Sequence, residues 1–149
     1  MDLRRRQTIL QGGREKAYRP LDVATREAAL ADGIEAYERG DFFLAHEILE
    51  PAWMGTADPG ERDLLQGLIK MCAAFVHSAR GNPVGVAKNL RGARDRFAGA
   101  ITAGRRAGID VPAITGQIDE RLAALAGSEA ASVALAGLPI DIARLPPAP

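Results

Sequence analysis

The stretch Leu64-Leu65-Gln66-Gly67-Leu68-Ile69-Lys70-Met71-Cys72-Ala73-Ala74-Phe75-Val76-His77-Ser78-Ala79-Arg80-Gly81-Asn82-Pro83 decides the fold. On a 3.6-residue period, Leu64, Leu65, Leu68, Ile69, Met71, Cys72, Phe75, Val76 and Ala79 cover more than half of a helix's circumference. A helix apolar over that arc is the central helix of a bundle. It reads from about Glu61 to Arg80, where Gly81, Asn82 and Pro83 supply a stop, a cap and a first-turn proline in succession. Gln66, Lys70 and His77 share its minority face.

Working outward, the helix that follows reads to about Ala103, with Val86, Leu90, Ala93, Phe97 and Ile101 inward. Gly85, Gly92 and Gly99 fall seven apart on nearly one stripe. Each glycine costs about 1 kcal/mol in a helix interior, so the stripe predicts a neighbouring backbone in close approach. Upstream of the central helix, Asp41 caps a helix with Leu44, Ala45, Ile48, Leu49, Ala52 and Trp53 on one face. Pro51 lies inside that pattern and predicts a kink or an early stop, because it cannot donate to the Glu47 carbonyl. Gly55 to Gly60 reads as a loop. A first helix runs from Asp22 or Thr25 to Arg39, and a last one from Val111 to Ala126 after Gly108-Ile109-Asp110. The turns Arg39-Gly40-Asp41 and Arg80-Gly81-Asn82 share one chemistry, a weak internal echo.

The expectation is an all-α fold, a compact bundle of about five helices built from antiparallel helical hairpins. Residues 1–20 read as a basic, flexible arm carrying Arg4, Arg5, Arg6, Arg14, Lys16 and Arg19. Residues 21–127 form the bundle. Residues 128–149 are Ala/Pro-rich and partly extended, laid over it.

Composition narrows the function classes. At 149 residues the chain is one domain's worth. A formal net charge of +0 argues against a dedicated nucleic-acid binder, whose field is normally basic. The basic stripe Lys88, Arg91, Arg94, Arg105, Arg106 is interrupted by Asp95 and reads as a solvated face. Cys72 is the one cysteine, which excludes an internal disulfide or Cys-type zinc site, and its place on the apolar face makes it core. No apolar run reaches the roughly 18 residues of a membrane span, and none follows the basic amino terminus as a secretory signal would require. The expected setting is the cytoplasm.

The polar residues that stand out are His46, Glu47, Glu50, Trp53, Gln66 and His77. His46 and Glu50 are one turn apart and share a face, while Glu47 points about 100° away. His46-Glu47-x-x-Glu50 has a carboxylate where the zinc-protease string needs its second imidazole, so that chemistry is disfavoured. If the second helix packs on the minority face of the central one, His46, Glu50, Gln66 and His77 converge. His46, Glu50 and His77 would then suffice for a weak divalent-metal site. An imidazole beside a carboxylate is also the minimum for acid–base catalysis. The blander reading is a structural or ligand-positioning network, with Trp53 as an apolar plug.

At this point the run Gly40-Asp41-Phe42-Phe43-Leu44-Ala45-His46-Glu47-Ile48-Leu49-Glu50-Pro51-Ala52-Trp53 resembles the signature of the domain of unknown function 309. Leu65-Gln66-Gly67-Leu68-Ile69, Ala73-Ala74 with His77, Gly81-Asn82 with Gly85, and Gly108-Ile109-Asp110-Val111 follow in order, from about Ala29 to Val111 in all. The resemblance implies an all-helical bundle in a prokaryotic or plastid cytoplasm, and no established activity. The positions it shares include His46, Glu47, Glu50, Trp53, Gln66 and His77. The chain departs from the pattern at Pro51 and Val86, and Pro51 puts in question where Trp53 sits relative to Glu50.

Three functional expectations follow. The first is a small helical domain whose His/Glu/Gln pocket binds a ligand or orders the bundle. The second is a metal-dependent or acid–base, hydrolase-like enzyme using His46 with Glu47 or Glu50. The third is a tetratricopeptide-like interaction module, which predicts an exposed apolar groove and a protein partner or homo-oligomer.

Overall fold

The computed structural model describes residues 7–127 and 134–146. Arg4, Arg5 and Arg6 of the basic arm, and residues 128–133 and 147–149 of the Ala/Pro-rich segment, lie outside the described residues.

The described chain is mostly helical. In order it forms β1 (Thr8–Gln11), β2 (Arg14–Ala17), α1 (Val23–Glu38), α2 (Phe42–Met54), α3 (Pro59–Ala79), α4 (Pro83–Phe97), α5 (Ile101–Arg106) and α6 (Val111–Ala126). Five of the six helices start on an Asp or Asn whose side chain accepts from a backbone N–H three residues on: Asp22, Asp41, Asp58, Asn82 and Asp110. Each such cap is worth about 1 kcal/mol. The echoed turns are also as read. Gly40 and Gly81 take φ of 82° and 67°, a left-handed conformation that carries the chain into the next cap. The following N–H then reaches back, Asp41 to the Ala36 carbonyl and Asn82 to that of His77, at 2.9 and 3.0 Å.

α3 is central, packed between α2 and α4, with α1 on the far side of α2 and α6 against α4. Leu64, Leu65, Leu68, Met71, Cys72 and Phe75 are all buried on it. Tyr37, Phe42 and Phe75 stack edge to face and tilted, with centroids 5.2 to 6.2 Å apart. The carboxy-terminal segment crosses this end of the bundle. Ile140 and Ile142 are buried. The Tyr37 hydroxyl donates to the Ile140 carbonyl at 2.6 Å and accepts from its N–H at 3.0 Å.

Four expectations need correction. The fold is not purely helical: residues 8–17 of the expected flexible arm form an antiparallel hairpin, Thr8 to Gln11 pairing with Ala17 to Arg14. Gly12 and Gly13, both at positive φ, make its turn. Strand alternation puts Ile9, Gln11 and Lys16 on the inner face, while Leu10 points out and is 72% exposed. The hairpin is docked rather than loose, because Arg19 and Leu21 just after it donate to the Met54 and Gly55 carbonyls at 2.7 and 3.0 Å.

Second, α2 does not stop at Pro51 but runs on to Met54. Pro51 and Glu47 are exposed, so water can satisfy the carbonyl left without a donor. Trp53 therefore keeps its helical place, nearly one turn beyond Glu50. Third, the helix expected to reach Ala103 ends at Phe97. The N–H groups of Gly99 and Ala100 bond three residues back, to Arg96 and Phe97, and the chain restarts as α5. That turn rotates Ile101 out to 39% exposure and brings Ala100 and Ala103 in.

Fourth, the glycine stripe of α4 does not admit a backbone. It seats three side chains of α3. A Cβ at Gly85 would lie 2.6 Å from the His77 ring, and one at Gly92 would lie 2.9 Å from Lys70 Cδ. One at Gly99 would strike the Asp63 carboxylate. Asp63, Lys70 and His77 are themselves seven apart and run in the opposite sense, as two antiparallel helices sharing one heptad stripe require.

Candidate functional site

α2 and α3 run antiparallel, with Phe42 beside Phe75 (5.4 Å) and Trp53 over Arg62 (4.8 Å). This register sets where the six polar residues lie. Gln66 is level with Glu50, and His46 is level with residues near 70. His77 is then roughly 10 Å further along the axis at 1.5 Å per residue. It turns to α4, where its Nδ1 is 3.1 Å from Asn82 Nδ2. The two histidines, whose approach helical period leaves open, therefore do not meet. Among the described residues no three of His, Cys, Asp and Glu are grouped to hold a metal ion, so His46, Glu50 and His77 are not a coordination set.

His46 stays with its own helix. Its Nδ1 is 3.7 Å from Glu47 Oε1 and 3.7 Å from Glu50 Oε2, beyond hydrogen-bond reach of either. The atom is buried and unpartnered, while both carboxylates are exposed enough for solvent to screen them. Beside them, Arg19, Leu21, Glu47, Glu50, Pro51 and Met54 line a shallow groove of about 370 Å³.

Trp53 is more than a plug. Its indole N–H donates to Gln11 Oε1 at 2.8 Å, and Gln11 Nε2 donates to Asp63 Oδ1 at 3.1 Å. Asp63 in turn lies 3.9 Å from the Arg96 guanidinium, which packs under Gly12. One relay thus ties the hairpin to α2, α3 and α4. It fixes the hairpin beside the first turns of α3 and leaves Gln11 buried.

Beside that relay lies Arg62, a residue the periodicity reading passed over. It is fully buried, at 0% exposure. Its Nη1 donates to the Trp53 and Thr56 carbonyls at 2.8 and 3.0 Å, and its guanidinium lies against the Trp53 ring. Among the described residues its Nε and Nη2 have no partner, nor has Gln66 Oε1 one turn along. Burial pulls the Arg62 pKa down, against support from Asp63 and Tyr18. Glu61-Arg62-Asp63 looks like an ordinary solvated first turn, and the fold of Trp53 and Thr56 back onto it makes it otherwise.

A second concavity faces away from this seam. One continuous face of α1 (Val23, Arg26, Glu27, Leu30, Ala31, Ile34) forms a wall. Leu64 and Leu65 of α3, with Ala103, Arg106 and Ala107 of the α5 region and Arg144, close an open groove of about 640 Å³. Its floor is aliphatic. Of its rim, Arg26 is paired with Glu61 at 2.7 Å and Arg144 with Glu38 at 3.6 Å. No ion pair among the described residues engages Arg106 or Glu27.

Comparison with known families identifies the stretch that carries most of this geometry. Residues 30–89 match the model of a domain of unknown function (DUF309). Over that stretch the chain is similar to the DUF309 family. No curated protein and no solved structure matches the chain. The DUF309 stretch runs from within α1 to within α4 and contains His46, Glu47, Glu50, Trp53, Arg62, Gln66 and His77. Gln11 and Arg96 of the relay lie outside it, as does the Gly108-Ile109-Asp110-Val111 run. No helix among the described residues is long and apolar enough to cross a membrane.

Proposed function

We propose that this DUF309-containing chain is a protein-binding module whose α1–α3–α5 groove receives an amphipathic helix from a partner. The observation that carries it is the α1 wall. Its lining positions 23, 26, 27, 30, 31 and 34 recur at helical spacing over three turns, about 16 Å of straight wall. Such a trough matches the i, i+3/i+4, i+7 anchors by which a helix lies in a groove. Arg106 and Glu27, neither in an ion pair among the described residues, favour an occupant with an acidic and a basic residue flanking its aliphatic stripe.

The test is an NMR titration with a 14-residue peptide carrying leucines at helical spacing, flanked by an acidic and a basic residue. A scrambled peptide of equal composition is the control. Shifts confined to the groove, and lost in the exposed-wall variant Ala31→Arg, support the module. Shifts scattered over the surface, or equal for the scrambled peptide, sink it.

A second reading is favoured by the Arg19–Met54 groove beside His46, where Glu47 and Glu50 reach a cavity of about 370 Å³. There the histidine and a carboxylate would act as an acid–base pair on a small ester or amide. His46→Ala should then abolish turnover of a model ester with the melting temperature unchanged. Equal turnover by the variant removes this reading.

A further inference from the structure

Among the described residues three buried polar side chains keep an unpartnered atom, His46, Gln66 and Arg62, and of these only Arg62 keeps two. Burying a guanidinium is costly unless it is paired and hydrogen-bonded. Nη1 is satisfied and held by two carbonyls, which fixes the plane of the group. The two nitrogens left over are Nε and Nη2. Their N–H bonds point the same way from one edge of the guanidinium and form the fork that takes two oxygens of one carboxylate or phosphoryl group.

No carboxylate of the described chain fills that fork. Asp63 is engaged by Gln11 and lies toward Arg96, and Glu61 is engaged by Arg26. The roof is the hairpin, held by Gln11 between Trp53 and Asp63.

We propose that the Nε/Nη2 fork of Arg62, beneath the amino-terminal hairpin, is a bidentate oxyanion-binding site for a carboxylate or phosphoryl group. The ligand enters when the hairpin lifts and is sealed against Trp53 when it returns.

Trp53 is the only tryptophan, and its ring lies 4.8 Å from the guanidinium carbon, so its fluorescence reports on the site. The full chain is titrated with inorganic phosphate and, separately, with acetate, at ionic strength held constant with chloride. The Arg62 Nε–H resonance is followed in parallel. The expected result is a saturable fluorescence change and a downfield shift of that resonance. Arg62→Lys, which keeps the charge and loses the fork, should weaken binding roughly tenfold or more. Gln11→Ala, which loosens the roof, should speed the approach to saturation. Saturation by phosphate alone assigns a phosphoryl ligand; saturation by acetate alone assigns a carboxylate. A resonance unmoved by both anions overturns the proposal, as does unchanged binding in Arg62→Lys. If Arg62→Lys does not fold, the wild-type Nε–H titration decides by itself.

Discussion

Replacing Gly67 by alanine tests the packing of the central helix directly. In an open helix position, glycine to alanine stabilises by about 1 kcal/mol. Gly116 of α6 is such a position, with nothing within 4 Å of an added Cβ. Gly116→Ala should therefore raise the melting temperature by about 3 °C for a chain of this size. At Gly67 the same methyl would lie 2.6 Å from Phe97 Cδ1 and Cε1 and 2.9 Å from Cζ. Phe97 is at 0% exposure, so its ring has no open side to move toward. Overpacking of this kind costs about 1–3 kcal/mol. Set against the propensity gain, Gly67→Ala should lose about 1 kcal/mol net, which places the two variants about 6 °C apart. Gly92→Ala should fall between them, because it meets only the flexible Lys70 stem, at 2.9 Å. The assay is thermal and urea unfolding of all three, together with Phe97→Leu alone and combined with Gly67→Ala. The reasoning requires that the smaller side chain relieve part of the penalty, a non-additive cycle. It is refuted if Gly67→Ala melts with Gly116→Ala, or if the two substitutions add.

Tyr37→Phe removes the hydroxyl that both donates to and accepts from Ile140, leaving two buried backbone groups unpaired. It should cost about 1–3 kcal/mol in urea unfolding and raise hydrogen exchange at Ile140 first. Trp53→Phe keeps an aromatic ring over Arg62 but drops the bond to Gln11. Exchange protection across residues 8–17 should fall while that of α3 holds; equal loss in both would mean the hairpin is not a separate unit. Burial pushes the Cys72 thiol from 9.0 up to about 12. The unfolded chain therefore releases this proton first, and stability should decline as pH rises from about 9 toward 12. Tyr37, whose phenol is also raised by burial, joins above its ordinary value of 10.0. Cys72→Ala should flatten the decline between pH 9 and 10, and an unchanged slope there would contradict the assignment.

What the sequence made legible follows from what sets each feature. Helical period and cap chemistry are local, so the central helix, the Gly40 and Gly81 turns and the last helix are readable from their own residues. The break after Phe97 is not, because Ile101 keeps the right period and only the Ala98–Ala100 turn redirects it. The hairpin did carry a signal: two four-residue runs around Gly12-Gly13. The density of arginine and lysine outweighed it. The site divides in the same way. Periodicity places His46, Glu50 and Trp53 on one edge of α2, which is a property of one helix. Whether His46 meets His77 depends on the antiparallel register of α2 and α3, which no single-helix period contains. Arg62 is not legible because what holds it is the way Trp53 and Thr56 fold back onto the first turn of α3, a tertiary contact that no helical period contains.

Those contacts also bear on how the chain is organised. The fork, the indole above it and Gln66 all belong to the DUF309 stretch, whereas the covering Gln11 and the anchoring Arg96 do not. Within the stretch, Trp53 and Thr56 already hold Arg62. The hairpin adds a roof beside it, held by Gln11 with a bond on either side and by the Arg19 and Leu21 backbone bonds just after it. Gln11→Ala therefore has an unusual expected signature. Losing two hydrogen bonds should weaken the docking of residues 8–17, yet rehydrating a buried guanidinium should return part of that free energy. Global stability should then fall by less than the about 3 kcal/mol that one neutral bond and one bond to a carboxylate would predict, while exchange protection of the hairpin collapses. A full loss of stability without selective exposure of the hairpin would show that Arg62 is better satisfied under its roof than its open fork implies.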